Sequence, residues 1–391
     1  IELNDSISKF APNLTKYLSG NQNIDKMIRT DSGKYYCFPT LRGDDSLNVY
    51  QGPVIREDLL KEYGLGVPET VEEWHTVLKT FKDKGMKAPL TYNSFGFNCG
   101  FLAGAFGTKL DFYQEDGKIH YGPAEKGWHD FLLLIRQWYA EGLIDPDIAT
   151  IDNKLLMTKM TSGQSGAAVA SGGLIGQYLP VLLQEKPDAN LIGVTYPVLN
   201  KGDAIKFSQL DNSYLLGGGA ITSKCKNIEL AAKFLDYGYG EEGLMFHNFG
   251  IEGVSYHMVD GYPKYSDQIL NANDFMSEAT KYINLEMSVQ DVRMYEQRLK
   301  YAQQKKAIET WRKGDAKKYL IPPVIATSEE SNESARIMSE LDTAVKEYML
   351  KFMFGNESLD SFDAYLNRLE QIGLKRAIAL KQAALDRYNK R

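Results

Sequence analysis

Short β-rich runs alternate with amphipathic helices along most of this chain, and that alternation most limits its possible folds. A capping box at Thr70 to Glu73 predicts a helix start, because the Thr hydroxyl and the Glu carboxylate satisfy the first free amides of a helix. Apolar residues follow at helical spacing as far as Phe81, and Gly85 suits a helix end. The β-rich or glycine-rich runs lie around such helices, at 35–39, 88–92, 166–170, 191–196 and 214–221. Strands that alternate with helices predict an α/β fold.

The last quarter of the chain differs, because it is almost entirely predicted helix. A second capping box, Thr327 to Glu330, opens a helix whose apolar face extends to Phe352. Another amphipathic run follows and ends at Gly373. The 391 residues also exceed what one hydrophobic core usually supports, so we expect two lobes.

Composition and charge exclude several classes of function. The formal net charge is -6 and the basic residues are dispersed, which argues against a nucleic-acid partner. No run reaches the roughly 18 consecutive apolar residues that a membrane helix requires. Cys37, Cys99 and Cys225 include no CxxC pair, and the five histidines are not spaced as metal ligands. We therefore predict no disulfide framework, no metal site and no cofactor.

Three short motif matches carry little information. Residues 238–243 have the letters of a dinucleotide fingerprint, but they follow a predicted helix where the motif requires a strand. Residues 163–167 look like a nucleophile elbow but lack its second glycine. Residues 42–44 spell an adhesion tripeptide, which is too short to indicate a function. None of the three predicts a site.

Two other classes of function stay open at this point. A glycosidase needs two facing carboxylates, and 51 Asp and Glu residues make such a pair possible, with Asp44 and Asp45 as the obvious candidates. Adjacent acidic residues in a loop are usually only solvated, however. A module that binds a peptide or another small solute is the second alternative.

Several stretches resemble the bacterial extracellular solute-binding proteins of the family that includes maltose-binding protein. Residues 66–73, GVPETVEE, are similar to its Gly-x-Pro-x-Thr-Trp-x-Glu helix start, and 138–147, WYAEGLIDPD, to its glycine-leucine-isoleucine-aspartate-proline turn. Residues 231–253 resemble the most recognisable sequence block of the family, and residues 321–331 are a further stretch that resembles it. The closest branch is that of the large lipoprotein-like binders of Gram-positive bacteria. Members normally carry a further upstream stretch, so we expect that the N-terminal part of lobe one, the signal peptide and the lipid-bearing cysteine are missing here.

The resemblance implies a two-lobed, hinge-connected periplasmic-binding-protein-like fold of type II with a helical C-terminal part. Mapped on this sequence, lobe one comprises residues 1–49 and 217–300, and lobe two comprises 50–216 and 301–391. The implied protein is a monomer on the surface of a Gram-positive cell, with a lipid anchor that is absent from this chain. We expect it to capture a carbohydrate, and more specifically an oligosaccharide, in the cleft between the lobes and to pass it to the permease of an ABC importer. The resemblance predicts a binding protein and not an enzyme.

Sugars stack on aromatic rings and exchange hydrogen bonds with planar polar side chains, which guides the choice of site residues. The loop after the first strand supplies acidic and basic candidates, and the glycine-rich end of the 166–170 strand lies where the family meets its ligand. There Leu174 replaces an aromatic residue that the family often carries, which weakens a maltose-like assignment. The predicted ligand-binding residues are Arg42, Asp44, Asp45, Tyr92, Asn93, Phe95, Ser171, Gly172, Asp211, Tyr214, Glu252 and Tyr256.

Overall fold

The computed structural model describes residues 1–391, except for the side chain of Phe95. Helices dominate the chain, and most of the long ones carry one apolar face. The helices are α1 (Asn4–Phe10), α2 (Pro12–Gly20), α3 (Gln22–Ile28), α4 (Glu57–Glu62), α5 (Val71–Asp83), α6 (Ser94–Asn98), α7 (Lys126–Ala140), α8 (Asn153–Thr161), α9 (Gly172–Glu185), α10 (Ile228–Tyr237), α11 (Glu241–Phe249), α12 (Asp267–Leu270), α13 (Phe275–Ala279), α14 (Val292–Arg298), α15 (Ala302–Trp311), α16 (Ala316–Tyr319), α17 (Ser328–Met353), α18 (Phe362–Ile372) and α19 (Leu374–Asn389).

The strands are short and form two small mixed sheets and two hairpins. They are β1 (Phe38–Arg42), β2 (Gln51–Arg56), β3 (Leu90–Thr91), β4 (Phe112–Glu115), β5 (Lys118–Tyr121), β6 (Ala167–Ser171), β7 (Leu191–Gly193), β8 (Tyr214–Gly219), β9 (Tyr256–Val259), β10 (Tyr262–Tyr265) and β11 (Val289–Gln290). One sheet has the order β11-β1-β8 and the other β3-β6-β2-β7.

The larger apolar core surrounds the four-stranded sheet. The predicted capping box at Thr70 is present and starts α5 at Val71, which confirms the local prediction. All four tryptophans of the chain lie in this core, and each is at most 1% exposed: Trp74, Trp128, Trp138 and Trp311. Helix α15 packs directly on β2 and β7 because glycines stand beneath it. A β-carbon at Gly193 would lie 2.4 Å from the β-carbon of Ala307.

A second core lies against the three-stranded sheet. It is built by α1, α2, α3 and α10 with the buried faces of β1 and β11. A smaller apolar cluster beside it holds Phe249, Tyr265 and Phe275, with the β9-β10 hairpin on one side. The two large cores have no buried residue in common, which is the arrangement expected of two α/β lobes.

The chain passes between the two sheets more than once. It leaves β1 at Arg42 and enters β2 at Gln51, and it returns from β7 to β8 through residues 194–213. A third passage leads from α14 to α15. The predicted limits of the lobes stay a prediction, whereas the α/β class and the helical C-terminal part are confirmed. Helix α17 starts at Ser328 behind the predicted capping box.

Candidate functional site

The carboxyl ends of β1 and β6 meet at a cavity of about 350 Å³ between the two sheets. Ligands of open α/β sheets commonly bind outside the carboxyl ends of strands. We call this cavity the cleft. Its lining combines residues from both sheets and from α14. These lining residues include Arg42, Tyr50, Ser171, Gly173, Gln290, Tyr295 and Arg298.

Arg42 occupies the end of β1, at the centre of a polar cluster. Its Nη1 donates to Oδ2 of Asp211 at 2.9 Å, and its guanidinium lies 5.4 Å from the ring centroid of Tyr50. The side-chain amide of Gln209 strengthens the cluster. Its Nε2 donates a hydrogen bond to Asp211, and its Oε1 accepts one from the backbone N–H of Tyr50. The cluster therefore joins the first two passages between the sheets. Burial, and then the charge of Asp211, raises the pKa of Tyr50, which keeps its hydroxyl neutral.

Ser171 ends β6 and caps α9 on the same side of the cleft. Its Oγ accepts the Leu174 backbone N–H at 3.2 Å, while the N–H of Gly172 donates to the carbonyl of Tyr50 at 2.9 Å. Gly172 itself is buried, and its carbonyl accepts a 2.7 Å hydrogen bond from Gln304. The next residue, Gly173, has no side chain to fill the cleft. Helix α9 therefore begins at the cleft wall.

Helix α14 supplies two side chains that the sequence analysis missed. The ring of Tyr295 is half-buried, and that burial raises the pKa of its hydroxyl, whereas the charges of Arg298, Arg42 and Arg312 act in the opposite direction. Arg298 lies one helical turn further on. A β-carbon at Gly173 would stand 2.7 Å from its Nη2, so the guanidinium faces the start of α9. The spacing of three residues between Tyr295 and Arg298 was the available signal, because it places both on one helix face.

Three other predicted residues, Asp44, Asp45 and Tyr214, lie close to this cluster. Asp44 and Asp45 line a neighbouring cavity of about 450 Å³ that also touches Arg42 and Asp211. A hydrogen bond from Ser46 lowers the pKa of Asp44, and Asp45 is exposed and forms a 3.3 Å ion pair with Lys317.

Tyr214 lines a third cavity, of about 430 Å³, together with Tyr50 and Asp211. Its hydroxyl lies 3.4 Å from Sγ of Cys37. Burial is the main cause that raises the Tyr214 pKa, and the contact with Cys37 adds to it. The structure thus groups Arg42, Ser171, Asp211 and Tyr214 around Tyr50.

Four other predicted residues, Tyr92, Asn93, Glu252 and Tyr256, do not line the cleft. Tyr92 is 1% exposed and packs edge-on against Phe97 and Phe101 in the larger core. This corrects the expectation that it lines the cleft, because Tyr92 follows the edge strand β3, which pairs with β6, and its ring packs inside the larger core. Asn93 is also buried, and its Nδ2 donates to Asn153 at 2.8 Å.

Glu252 and Tyr256 lie in another part of the structure. Glu252 is exposed in the loop after α11, and Tyr256 is 6% exposed in the small cluster, 5.8 Å from the Phe249 ring. Neither lines the cleft, because Tyr256 packs in the small cluster and Glu252 is paired with it through an isolated β-bridge. The side chain of Phe95 is outside the described residues. Ligand contact by any of the twelve residues stays a prediction.

Three further observations concern metals, thiols and membranes. Over residues 1–391, with the Phe95 side chain set aside, no group of three or more His, Cys, Asp or Glu residues is placed to hold a metal ion. The thiols of Cys37, Cys99 and Cys225 are free. In the same part of the chain, no helix is both long and apolar enough to cross a bilayer.

Comparison with known sequences points to one family. Residues 4–245 match the family described as "Bacterial extracellular solute-binding protein". The lipoprotein LipO of Bacillus subtilis is 23% identical over 372 residues, which is 91% of this chain and 72% of LipO. The fructooligosaccharide ABC transporter substrate-binding protein FusA of Streptococcus pneumoniae is 23% identical over 436 residues, covering 99% of this chain and 76% of FusA.

Solved structures agree on the fold. The alginate-binding protein AlgQ2 is 24% identical with a TM-score of 0.83, covering 99% of this chain and 81% of that one. An ABC-transporter-associated solute-binding protein of Bifidobacterium longum infantis, described as HMO-binding, is 17% identical with a TM-score of 0.82, covering 99% of this chain and 84% of that one. The family match extends over more than half of the sequence. The chain therefore belongs to the bacterial extracellular solute-binding proteins and has their two-lobed α/β fold.

Proposed function

We propose that this protein captures an oligosaccharide in the cleft and delivers it to the permease of an ABC importer. The observation that carries the proposal is the composition of the cleft, where the rings of Tyr50 and Tyr295 stand beside the planar polar groups of Arg42, Gln290 and Arg298. Aromatic rings offer an apolar face to the C–H groups of a sugar and exclude water. Planar polar groups can then exchange hydrogen bonds with sugar hydroxyls at reduced dielectric.

The names of several relatives support a carbohydrate. FusA is named for fructooligosaccharides, and MelE of Bacillus subtilis, 24% identical over 191 residues, is named for melibiose, raffinose and stachyose. AlgQ2 is described as binding alginate. The structural neighbours described above are at most 24% identical to this chain, so they support the fold. The proposal of a carbohydrate ligand rests on the cleft together with the names of the sequence relatives.

We further propose that the protein works by hinge closure and has no catalytic activity. Closure of two lobes around a ligand is the usual motion of such binding proteins. A glycosidase requires two carboxyl groups across the scissile bond, and no Asp or Glu is among the described residues that line the cleft. The carboxylate of Asp211, which contacts the cleft residue Arg42, is paired with that arginine at 2.9 Å. We also propose a monomer at the surface of a Gram-positive cell, held there by a lipid anchor.

The test is a thermal-shift screen against neutral and acidic oligosaccharides, amino acids and peptides, followed by titration calorimetry. A ligand at a hundredfold excess over its Kd adds about 2.7 kcal/mol of stability, which raises the melting temperature measurably. Tyr295→Ala should weaken binding about tenfold, because it removes the ring from the cleft. Tyr36→Ala is the matched control, since Tyr36 is 48% exposed and lies outside the cleft lining.

Two results would contradict the proposal. One is a shift with peptides or amino acids and with no oligosaccharide. The other is the appearance of shorter sugars when the protein is incubated with a bound oligosaccharide, which would indicate an enzyme.

A further inference from the structure

We propose that the oligosaccharide carries a carboxylate, as a uronic acid does, and that Arg298 binds it. This inference rests on the function proposed above and specifies the class of sugar. It is carried by one side chain, the cation at the end of α14, which lines the cleft without a partner of opposite charge.

Arg298 differs from three arginines near the two sheets that are paired with carboxylates. Arg42 is paired with Asp211 at 2.9 Å, Arg56 with Asp58 at 2.7 Å, and Arg293 with Asp291 at 2.6 Å. Among the described residues, by contrast, no carboxylate lies within ion-pair distance of the Arg298 guanidinium, and no carbonyl accepts a hydrogen bond from it. The fold therefore neutralises these neighbouring arginines and leaves the charge of Arg298 available.

The surroundings of Arg298 also favour an anion. The guanidinium faces Gly173 in the first turn of α9, a helix of 14 residues whose amino end carries a partial positive charge. The acidic groups nearby are already engaged. Asp274 accepts hydrogen bonds from the backbone N–H groups of Met276 and Ser277. Glu296 accepts a hydrogen bond from the hydroxyl of Tyr262.

A purely structural role for Arg298 explains less. A cation in the last turn of a helix interacts favourably with the helix dipole, and Arg298 occupies that place in α14. For that role the guanidinium would have to stay at the end of α14, where its N–H groups could donate hydrogen bonds to the last backbone carbonyls of the helix. The guanidinium instead lies against the start of α9, close to Gly173. The direction of the side chain therefore favours ligand binding.

The planar geometry of the Arg298 guanidinium favours a carboxylate as its ligand. Its planar fork donates two parallel hydrogen bonds to the two oxygens of a carboxyl group. Tyr295, one turn before Arg298 on α14, would then stack on the ring of the same sugar residue. One helix face would thus supply both the stacking surface and the countercharge.

The experiment is titration calorimetry with uronic-acid oligosaccharides of several backbones, each paired with its methyl ester, and with neutral fructo-, galacto- and malto-oligosaccharides. We expect an acidic sugar to bind about tenfold or more tightly than its ester. Arg298→Met should remove that difference, and Arg298→Lys should restore only part of it, because it keeps the charge without the fork. Arg336→Met is the matched control, since Arg336 is exposed on α17. The melting temperature of each variant checks its folding.

The outcomes separate the two proposals. If a neutral oligosaccharide binds best, or if Arg298→Met leaves the preference for the acid unchanged, the carboxylate proposal is overturned and the oligosaccharide-binding proposal stands. If no oligosaccharide of any charge binds, both are overturned.

Discussion

A buried ion pair in the larger core gives the sharpest test of how this fold is stabilised. Lys159 on α8 donates to Oδ1 of Asp145 at 2.6 Å, and its side chain is 6% exposed. Asp145 is fully buried, and its other oxygen accepts a 2.6 Å hydrogen bond from Thr91 on β3. The pair thus ties the turn after α7 to the four-stranded sheet. We predict that Lys159→Met lowers the free energy of unfolding strongly.

The magnitude follows from what the substitution leaves behind. Met replaces the aliphatic part of Lys159, so the main loss is the countercharge of a carboxylate with no exposed surface. Removing one partner of a buried ion pair typically costs about 3–5 kcal/mol. Asp145 keeps the hydrogen bonds from Thr91 and from the Asp147 backbone N–H, so we expect the lower end, about 3 kcal/mol. Asp145→Asn should cost less, because Lys159 keeps its 2.7 Å contact with Asp147.

Urea unfolding followed by tryptophan fluorescence measures this effect. All four tryptophans lie in the larger core, so the signal reports that core and not the other lobe. Lys61→Met is the control, because Lys61 is 71% exposed and its pairing with Glu57 is worth less than about 1 kcal/mol. A change for Lys159→Met no larger than that of the control would refute the argument that the buried carboxylate needs its countercharge.

Two further predictions concern pH and thiol reactivity. Hydrogen bonds from Lys201 and from the backbone lower the pKa of Glu73 to about 2, so its stabilising effect is complete above its unfolded pKa near 4.5 and is lost as the pH falls towards 2. Glu73→Gln should therefore lower the urea midpoint at pH 7, and the difference from the unaltered protein should shrink in a pH series below 4.5. Burial raises the pKa of Cys99 to about 11, whereas Cys37 and Cys225 are half-exposed. A chromogenic disulfide reagent at pH 8 should label two thiols per native chain and the third only in denaturant; fast labelling of all three would contradict the buried position of Cys99.

Much of the local structure could be predicted because its causes are local. The capping boxes at Thr70 and Thr327 start helices where the sequence indicates, and the apolar spacing around Trp74 and Trp128 predicts their burial. Ser171 was chosen because the resemblance puts the family's glycine-rich strand end there, and in the structure Ser171 ends β6 and caps α9. In each case the controlling contacts lie within a few residues.

The site was harder to predict, because its parts come from distant segments. Tyr92 follows a strand, and a residue in that position can point either to the cleft or to the core; the pairing of β3 with β6 directs it to the core. Tyr295 and Arg298 carry no motif, and they become cleft residues only because the third passage of the chain brings α14 against the start of α9. No local pattern contains that information.

The sequence by itself determined the α/β class, the helix starts and the membership of the family, because hydrophobic periodicity, capping and recurrent motifs are properties of short segments. The tertiary structure alone decided which charges remain free. Arg42 and Arg298 look equivalent in the sequence, yet Asp211 neutralises the first and nothing among the described residues neutralises the second. The physical reason is that an ion pair depends on distances of a few ångströms between segments far apart in the chain, and only the packing of the two lobes sets those distances.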